Sequence, residues 1–191
     1  IDLQTGRELP KNAQIKGLNP KEFSIKNILR NPALTVQIPK ENDIAGIKKI
    51  PRYMVIYFVM EDYHFIKIIL PIYGKGLWST LYGFISMDYK DLNTIRGITF
   101  YEHGETPGLG GEIDNFKWKS SWKGKKVFDK QGQVKLKVVK GKARTGSIHQ
   151  VDGLSGASIT ARGVEQLIKF WLGNMGYKPF LKRLWEVRAN G

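Results

Sequence analysis

Cysteine is absent from the 191 residues, which removes disulfides, thiolate metal ligands and thiol nucleophiles and leaves the redox compartment undecided. Histidine is scarce: His64, His103 and His149 lie far apart, and no two stand at the short spacing of a metal-binding pair. Acidic residues are outnumbered, 17 Asp and Glu against 31 Lys and Arg, giving a formal net charge of +14. That balance favours an anionic neighbour such as phosphate, lipid headgroups, nucleic acid or an acidic protein. The basic residues read as spread along the chain, with short clusters such as Lys123-Gly124-Lys125-Lys126, a pattern that a solvated basic surface explains equally well. No RNA-recognition aromatic motif, zinc-finger spacing or basic arm accompanies the charge. No apolar run approaches the roughly 18 residues of a membrane-spanning helix; the longest, Tyr53 to Met60, is strand-sized. No signal peptide is visible, and the chain opens on Ile1 rather than Met, as a mature product or a trimmed piece would, which leaves room for an anchor upstream of Ile1.

What is present is the composition of a globular domain with a real core: 41% hydrophobic and 12% aromatic residues. Asn19-Pro20-Lys21-Glu22 carries the marks of a helix start, with Pro32 ending that helix near Arg30. Tyr53–Met60 and Phe65–Leu70 flank a polar Glu61-Asp62-Tyr63-His64 and predict a hairpin. Leu81–Met87 and Ile95–Tyr101 predict two more strands, and Val134–Val139 alternates as a half-buried strand does. Trp118–Trp122 suggests a short helix. From Ala161 to Leu172, Val164, Leu167, Ile168, Trp171 and Leu172 repeat on one helical face, with Thr160 as the expected N-cap and Gly173 as the C-terminal stop. The order predicts an α+β fold, a single domain with an antiparallel, partly barrel-like sheet flanked by helices. Residues 1–50 form an amino-terminal helical and extended segment packed on the unit 51–191.

Two segments hold glycines among polar groups. His103-Gly104-Glu105-Thr106-Pro107-Gly108-Leu109-Gly110-Gly111 follows a strand. Its glycines let backbone N–H groups approach a ligand, and its leucine can press against a flat ring; a tight turn with nothing bound has the same pattern. Asp152-Gly153-Leu154-Ser155-Gly156-Ala157-Ser158-Ile159-Thr160 leads into the long helix. Unpaired N–H groups and aligned peptide dipoles at such a start favour an anion. Simple capping by Ser158 or Thr160 explains one hydroxyl, but not Asp152, the glycines and the spare hydroxyls together.

The segment Asp152-Gly153-Leu154-Ser155-Gly156-Ala157-Ser158 resembles the attachment motif of the FMN-binding domain family, in which the hydroxyl residue after Gly-Ala carries flavin mononucleotide (FMN) as a phosphoester. Threonine is usual there; this chain has Ser158, with Thr160 as the neighbouring hydroxyl. Three further blocks, Gly74–Phe84, Thr99–Ile113 and Trp171–Leu181, are similar to the C-subunit family of the bacterial sodium-translocating NADH:quinone reductases. The G-subunit family of the Rnf electron-transport complexes shares the attachment motif and the glycine-rich loop. A polyanion-binding module without flavin, or a colourless structural subunit, is the contrasting expectation.

The resemblance implies a covalent FMN that relays electrons towards quinone, installed by a flavin transferase. It implies partners in the other subunits of a membrane reductase complex, no nucleic acid, and an amino-terminal membrane anchor. The location it implies is the inner membrane, with the soluble domain on the periplasmic side. Ser158 would hold the phosphate, with Ser155, Gly156, Ala157, Ile159 and Thr160 around it and Asp152 organising the turn and positioning the hydroxyl. Thr106, Leu109 and Gly110 would meet the ring, and Glu105 would bond the cofactor or shape its loop. Trp78 packs either near the ring or in the core; Lys140 either compensates charge near the flavin or faces solvent. The redox steps belong to the flavin, and no acid–base pair or nucleophile is required of the protein.

Overall fold

The computed structural model describes residues 1–10 and 12–189. Its centre is an antiparallel sheet in the order β3 (Tyr57–Glu61), β4 (His64–Lys75), β5 (Thr80–Asp88) and β6 (Ile95–Glu102). Two-residue alternation sets its faces: along β5, Leu81, Gly83, Ile85 and Met87 are buried, while Tyr82, Phe84 and Ser86 look out half-covered from the other side. The sheet is open, with β3 and β6 as edges, and irregularities at Val59/Met60, Tyr82/Gly83 and Ser86/Met87 interrupt its register. Such bulges bend and twist a sheet without closing it.

The predicted hairpin forms, but its first strand starts at Tyr57 rather than Tyr53, and its second runs on through Pro71 to Lys75. Tyr53 is engaged elsewhere, bridging Asp2, while Met54 exchanges backbone hydrogen bonds with Ile1. The hairpin turns on Asp62 and Tyr63, both at positive φ (46° and 63°), as a two-residue turn between twisted strands requires.

At the amino end, the expected single helix is broken in two. Asn19 caps only a 3₁₀ turn, Pro20–Glu22; Phe23 is extended, and Ser24 then caps α1 (Ile25–Leu29) by accepting from the Asn27 N–H. A serine that finds its own downstream N–H competes with continuation of the first turn. Next come β1 (Thr35–Gln37) and β2 (Lys49–Pro51), an antiparallel pair that hydrophobic patterning does not announce.

Beyond β6, α2 (Phe116–Ser120) carries Trp118 into the core beside the fully buried Trp122. The predicted strand over 134–139 reduces to β7 (Lys137–Val138), which pairs in parallel with β8 (Gln150–Val151); Val134 makes only an isolated bridge to Phe128.

The long helix, α3 (Ser158–Trp171), lies along β4 with Val164, Leu167, Ile168 and Trp171 buried as the spacing predicts. Two glycines permit the close approach: a Cβ on Gly74 would stand 2.5 Å from the Leu167 Cβ, and one on Gly163 would strike the Lys75 carbonyl. The Trp171 indole N–H then donates to the Tyr73 carbonyl at 2.6 Å. A last helix, α4 (Lys178–Ala189), is not anticipated by the pattern reading; it follows Tyr177, whose hydroxyl donates to the Pro71 carbonyl at 2.6 Å inside the core. Among the described residues, no helix is long and apolar enough to cross a membrane.

Candidate functional site

The helix α3 begins at Ser158, three residues before the expected start at Ala161. Ala157, not Thr160, occupies the cap, and it offers no side-chain hydrogen bond. Thr160 lies inside the first turn. The first intrahelical bond there runs from the Ala161 N–H to the Ala157 carbonyl, and the N–H groups of Ser158, Ile159 and Thr160 find no partner among the described residues. Three unpaired donors at the positive end of a 14-residue helix make a place for an anion.

The two hydroxyls that the sequence leaves in competition have different fates. Thr160 is 1% exposed and its Oγ1 donates to Glu105 Oε2 at 2.5 Å. Ser158 is exposed, as is Ser155, and neither side chain is engaged by another described residue. A reacting hydroxyl must be reachable, and Ser158 meets that condition where Thr160 does not.

The glycine-rich loop reaches this turn from the end of β6. Gly156, at φ +69°, lies so close to Leu109 that an added Cβ would stand 2.9 Å from the Leu109 Cδ2. Gly110 is buried beside Thr160 Oγ1 and Glu105, and its Cβ would meet them at 2.7 and 2.9 Å. Leu109 itself is half-exposed, and Thr106 is exposed with its carbonyl taking the N–H groups of Leu109 and Gly111. His103 steadies the loop: its Nδ1 accepts from the Glu105 N–H at 3.1 Å, so its Nε2 carries the proton and donates to Asp114 at 2.9 Å.

Glu105 ties three segments together. Besides Thr160, its carboxylate accepts the N–H groups of Leu77 (3.1 Å), Trp78 (3.0 Å) and Ser79 (3.1 Å) and the Ser79 hydroxyl (3.2 Å). Burial alone would raise its pKa, but the bonds from Thr160, Trp78, Leu77 and Ser79 outweigh it and hold the carboxyl below the ordinary glutamate value. Glu105 is thus an ionised hub that fixes the β4–β5 loop against the α3 start. Trp78, carried on that loop, is 67% exposed, so its ring lies outside the core.

Asp152 and Lys140 are less direct. The Asp152 carboxylate is occupied by the Lys142 ammonium (2.8 Å) and the Ala143 N–H (2.8 Å), which together hold its pKa down, and its carbonyl accepts the Trp118 indole N–H at 2.9 Å. It braces the entry to the turn, and no hydrogen bond joins it to Ser158. Lys140 is exposed beside the stretch that flanks Gly153, and no hydrogen bond or ion pair joins it to Ser158. Sequence reasoning overlooks Ser79, Trp118 and Lys142; only the indole of Trp118, near a Gly-rich turn, hints at its role in advance.

FMN fits what these residues provide: unpaired N–H donors for a phosphate, a free hydroxyl beside them, and exposed Leu109, Trp78 and Ile159 as apolar surface for a ring. Among the described residues there is no cluster of metal-ligating side chains.

A family model described as FMN-binding domain matches residues 76–173. Among curated proteins, the Na(+)-translocating NADH-quinone reductase C subunit of Yersinia pestis is 46% identical over 97% of this chain and 67% of that protein. Its counterpart in Pseudomonas aeruginosa is 46% identical over 99% of this chain and 71% of that protein. The crystal structure of Shewanella oneidensis NqrC matches with a TM-score of 0.87 at 37% identity, covering 97% of this chain and 82% of that one. The chain therefore belongs to the FMN-binding domain family and, within it, to the C-subunit family of the Na(+)-translocating NADH-quinone reductases.

Proposed function

We propose that this chain is the electron-transfer subunit of a Na⁺-translocating NADH:quinone oxidoreductase and carries FMN as a phosphoester on Ser158. The observation that carries the proposal is the exposed Ser158 hydroxyl at an uncapped helix start, with Leu109 of the glycine-rich loop resting on the preceding Gly156.

When bound, FMN supplies the electron acceptance and release; the protein holds and orients it. Ser158 Oγ would hold the phosphate as an ester, the unpaired N–H groups of Ser158, Ile159 and Thr160 would receive its charge, and Ser155, Gly156 and Ala157 would shape the turn. Leu109, Trp78 and Ile159 would offer apolar contact, with the exposed Thr106 beside them, while Gly110, expected at the ring, is buried behind them against Thr160 and Glu105. Glu105 and Thr160 act behind the site by fixing the loops, and Asp152 braces the turn through Lys142. Lys140 adds positive charge to the same side. Residues 1–50 serve as a packing segment of one unit with 51–191. A flavin transferase installs the cofactor, an amino-terminal helix outside this chain anchors the protein in the inner membrane, and the domain faces the periplasm.

Co-expression with a flavin transferase tests this reading. The purified protein is expected to be yellow and to retain one FMN through denaturation. A colourless protein of unmodified mass that binds DNA in a salt-dependent way would instead support a polyanion-binding module.

A further inference from the structure

The positive charge is not evenly distributed. Residues 117–144 hold eleven of the chain's 31 Lys and Arg and only one of its 17 Asp and Glu, Asp129. Ion pairs engage just two of the eleven, Lys126 with Asp91 and Lys142 with Asp152, among the described residues. Lys117, Lys123, Lys130, Lys135, Lys137 and Arg144 are exposed with no carboxylate partner among those residues.

Two parts of this segment, at Lys126 and over 137–141, pair with the stretch that leads into the FMN turn, while Phe128–Gly132 lie against Asp91–Asn93 and α4. The Lys126 N–H donates to the Ile148 carbonyl, Lys137 N–H to His149, Val139 N–H to Val151, and Gly153 N–H back to Gly141. The stretch bearing Lys135 and Lys137 thus runs beside the residues that lead into Ser158, and its Val138 N–H donates to Glu165 of α3 at 2.9 Å. Around Ser158 itself, Trp78, Leu109 and Ile159 expose large apolar area. An apolar centre with a charged border is the anatomy of a protein-docking face, and one-signed charge there raises encounter rates.

We infer that the face made by the 117–144 shoulder and the apolar rim of the Ser158 site docks an acidic protein, the redox partner within the complex, whose carboxylates surround its own electron-carrying centre. This rests on the flavin reading above. A protein fits better than an anionic lipid surface because the charge borders the place where the flavin ring would stand, and electrons must reach that ring from a centre held in protein.

Zero-length carbodiimide coupling of the assembled membrane complex, followed by peptide mass spectrometry, tests it. Amide links from Lys123, Lys135 or Lys137 to Asp or Glu of another subunit are expected. In parallel, the K123E/K135E/K137E complex is expected to lose about tenfold in NADH:quinone reductase rate at moderate ionic strength, with its flavin load unchanged by intact mass. K16E/K21E/K40E, which changes the same charge at exposed lysines distant in sequence, should keep the rate. Absence of inter-subunit links, or equal rates for the two triple variants, would overturn the inference. So would selective loss of K123E/K135E/K137E binding to phosphatidylglycerol vesicles at an unchanged reductase rate, which would assign the face to lipid. Missing flavin in the unmutated complex would count against the flavin reading alone, since the cross-links are read independently.

Discussion

Thr160 and Glu105, 55 residues apart in sequence, share a buried hydrogen bond of 2.5 Å that joins the first turn of α3 to the glycine-rich loop. Because Glu105 also receives three backbone N–H groups of the β4–β5 loop, one carboxylate holds together all three segments that surround Ser158. Thr160→Val keeps the shape and removes the donor. It is expected to cost about 2 kcal/mol, the usual worth of a hydrogen bond to a charged group. Denaturant unfolding of the two proteins measures the difference.

The same carboxylate sets a pH dependence. Its folded pKa lies below its unfolded value, because the hydrogen bonds from Thr160, Trp78, Leu77 and Ser79 outweigh the opposing effect of burial. The stabilisation is therefore complete above the unfolded value of about 4.3 and is lost as pH falls through the folded one. Asp91 acts with the same sign: despite burial, bonds from Thr94, Asn93 and Lys126 hold it at about 2. Unfolding free energy should decline from about pH 5 downward, and Glu105→Gln should make that decline shallower. Denaturant midpoints across the acid range give the comparison.

Gly156 combines a positive φ with the Leu109 contact. Gly156→Ala should cost about 1–2 kcal/mol from the backbone conformation and push Leu109 away from the turn. With FMN attached, weaker protection of the flavin from solvent quenchers than in the unmutated protein is the expected signature.

Trp78 behaves differently, since it is exposed and only its backbone is held. Trp78→Ala should leave stability within about 0.5 kcal/mol. If the indole lies against the ring, the substitution brightens flavin fluorescence; unchanged fluorescence would place Trp78 away from it.

Much of this was readable from residue order, for identifiable reasons. The buried face of α3, the strands over 81–87 and 95–101, and the short helix at Trp118 follow from local periodicity, and tertiary packing agrees with it. Local capping preference misled where packing decided: Thr160 resembles an N-cap, yet Glu105 draws its hydroxyl inward and Ala157 starts the helix. The start expected at Asn19 divided because the Ser24 hydroxyl accepts the Asn27 N–H and caps a helix of its own. The parallel pairing of β7 with β8 joins two-residue strands, too short to leave a pattern. In α4, Phe180 and Leu181 are buried, but Lys178 and Pro179 disguise the start. The basic residues read as spread along the chain, whereas residues 117–144 hold eleven of the 31; that part of this stretch pairs with the residues leading into Ser158 required the fold.

Which oxygen bears the flavin is decided by intact-mass spectrometry with peptide mapping across 152–162. After co-expression with a flavin transferase, the protein and its Thr160→Val variant should each carry one FMN on the peptide containing Ser158, and Ser158→Ala should carry none. An adduct that survives in Ser158→Ala, or one that disappears from Thr160→Val alone, would contradict the account.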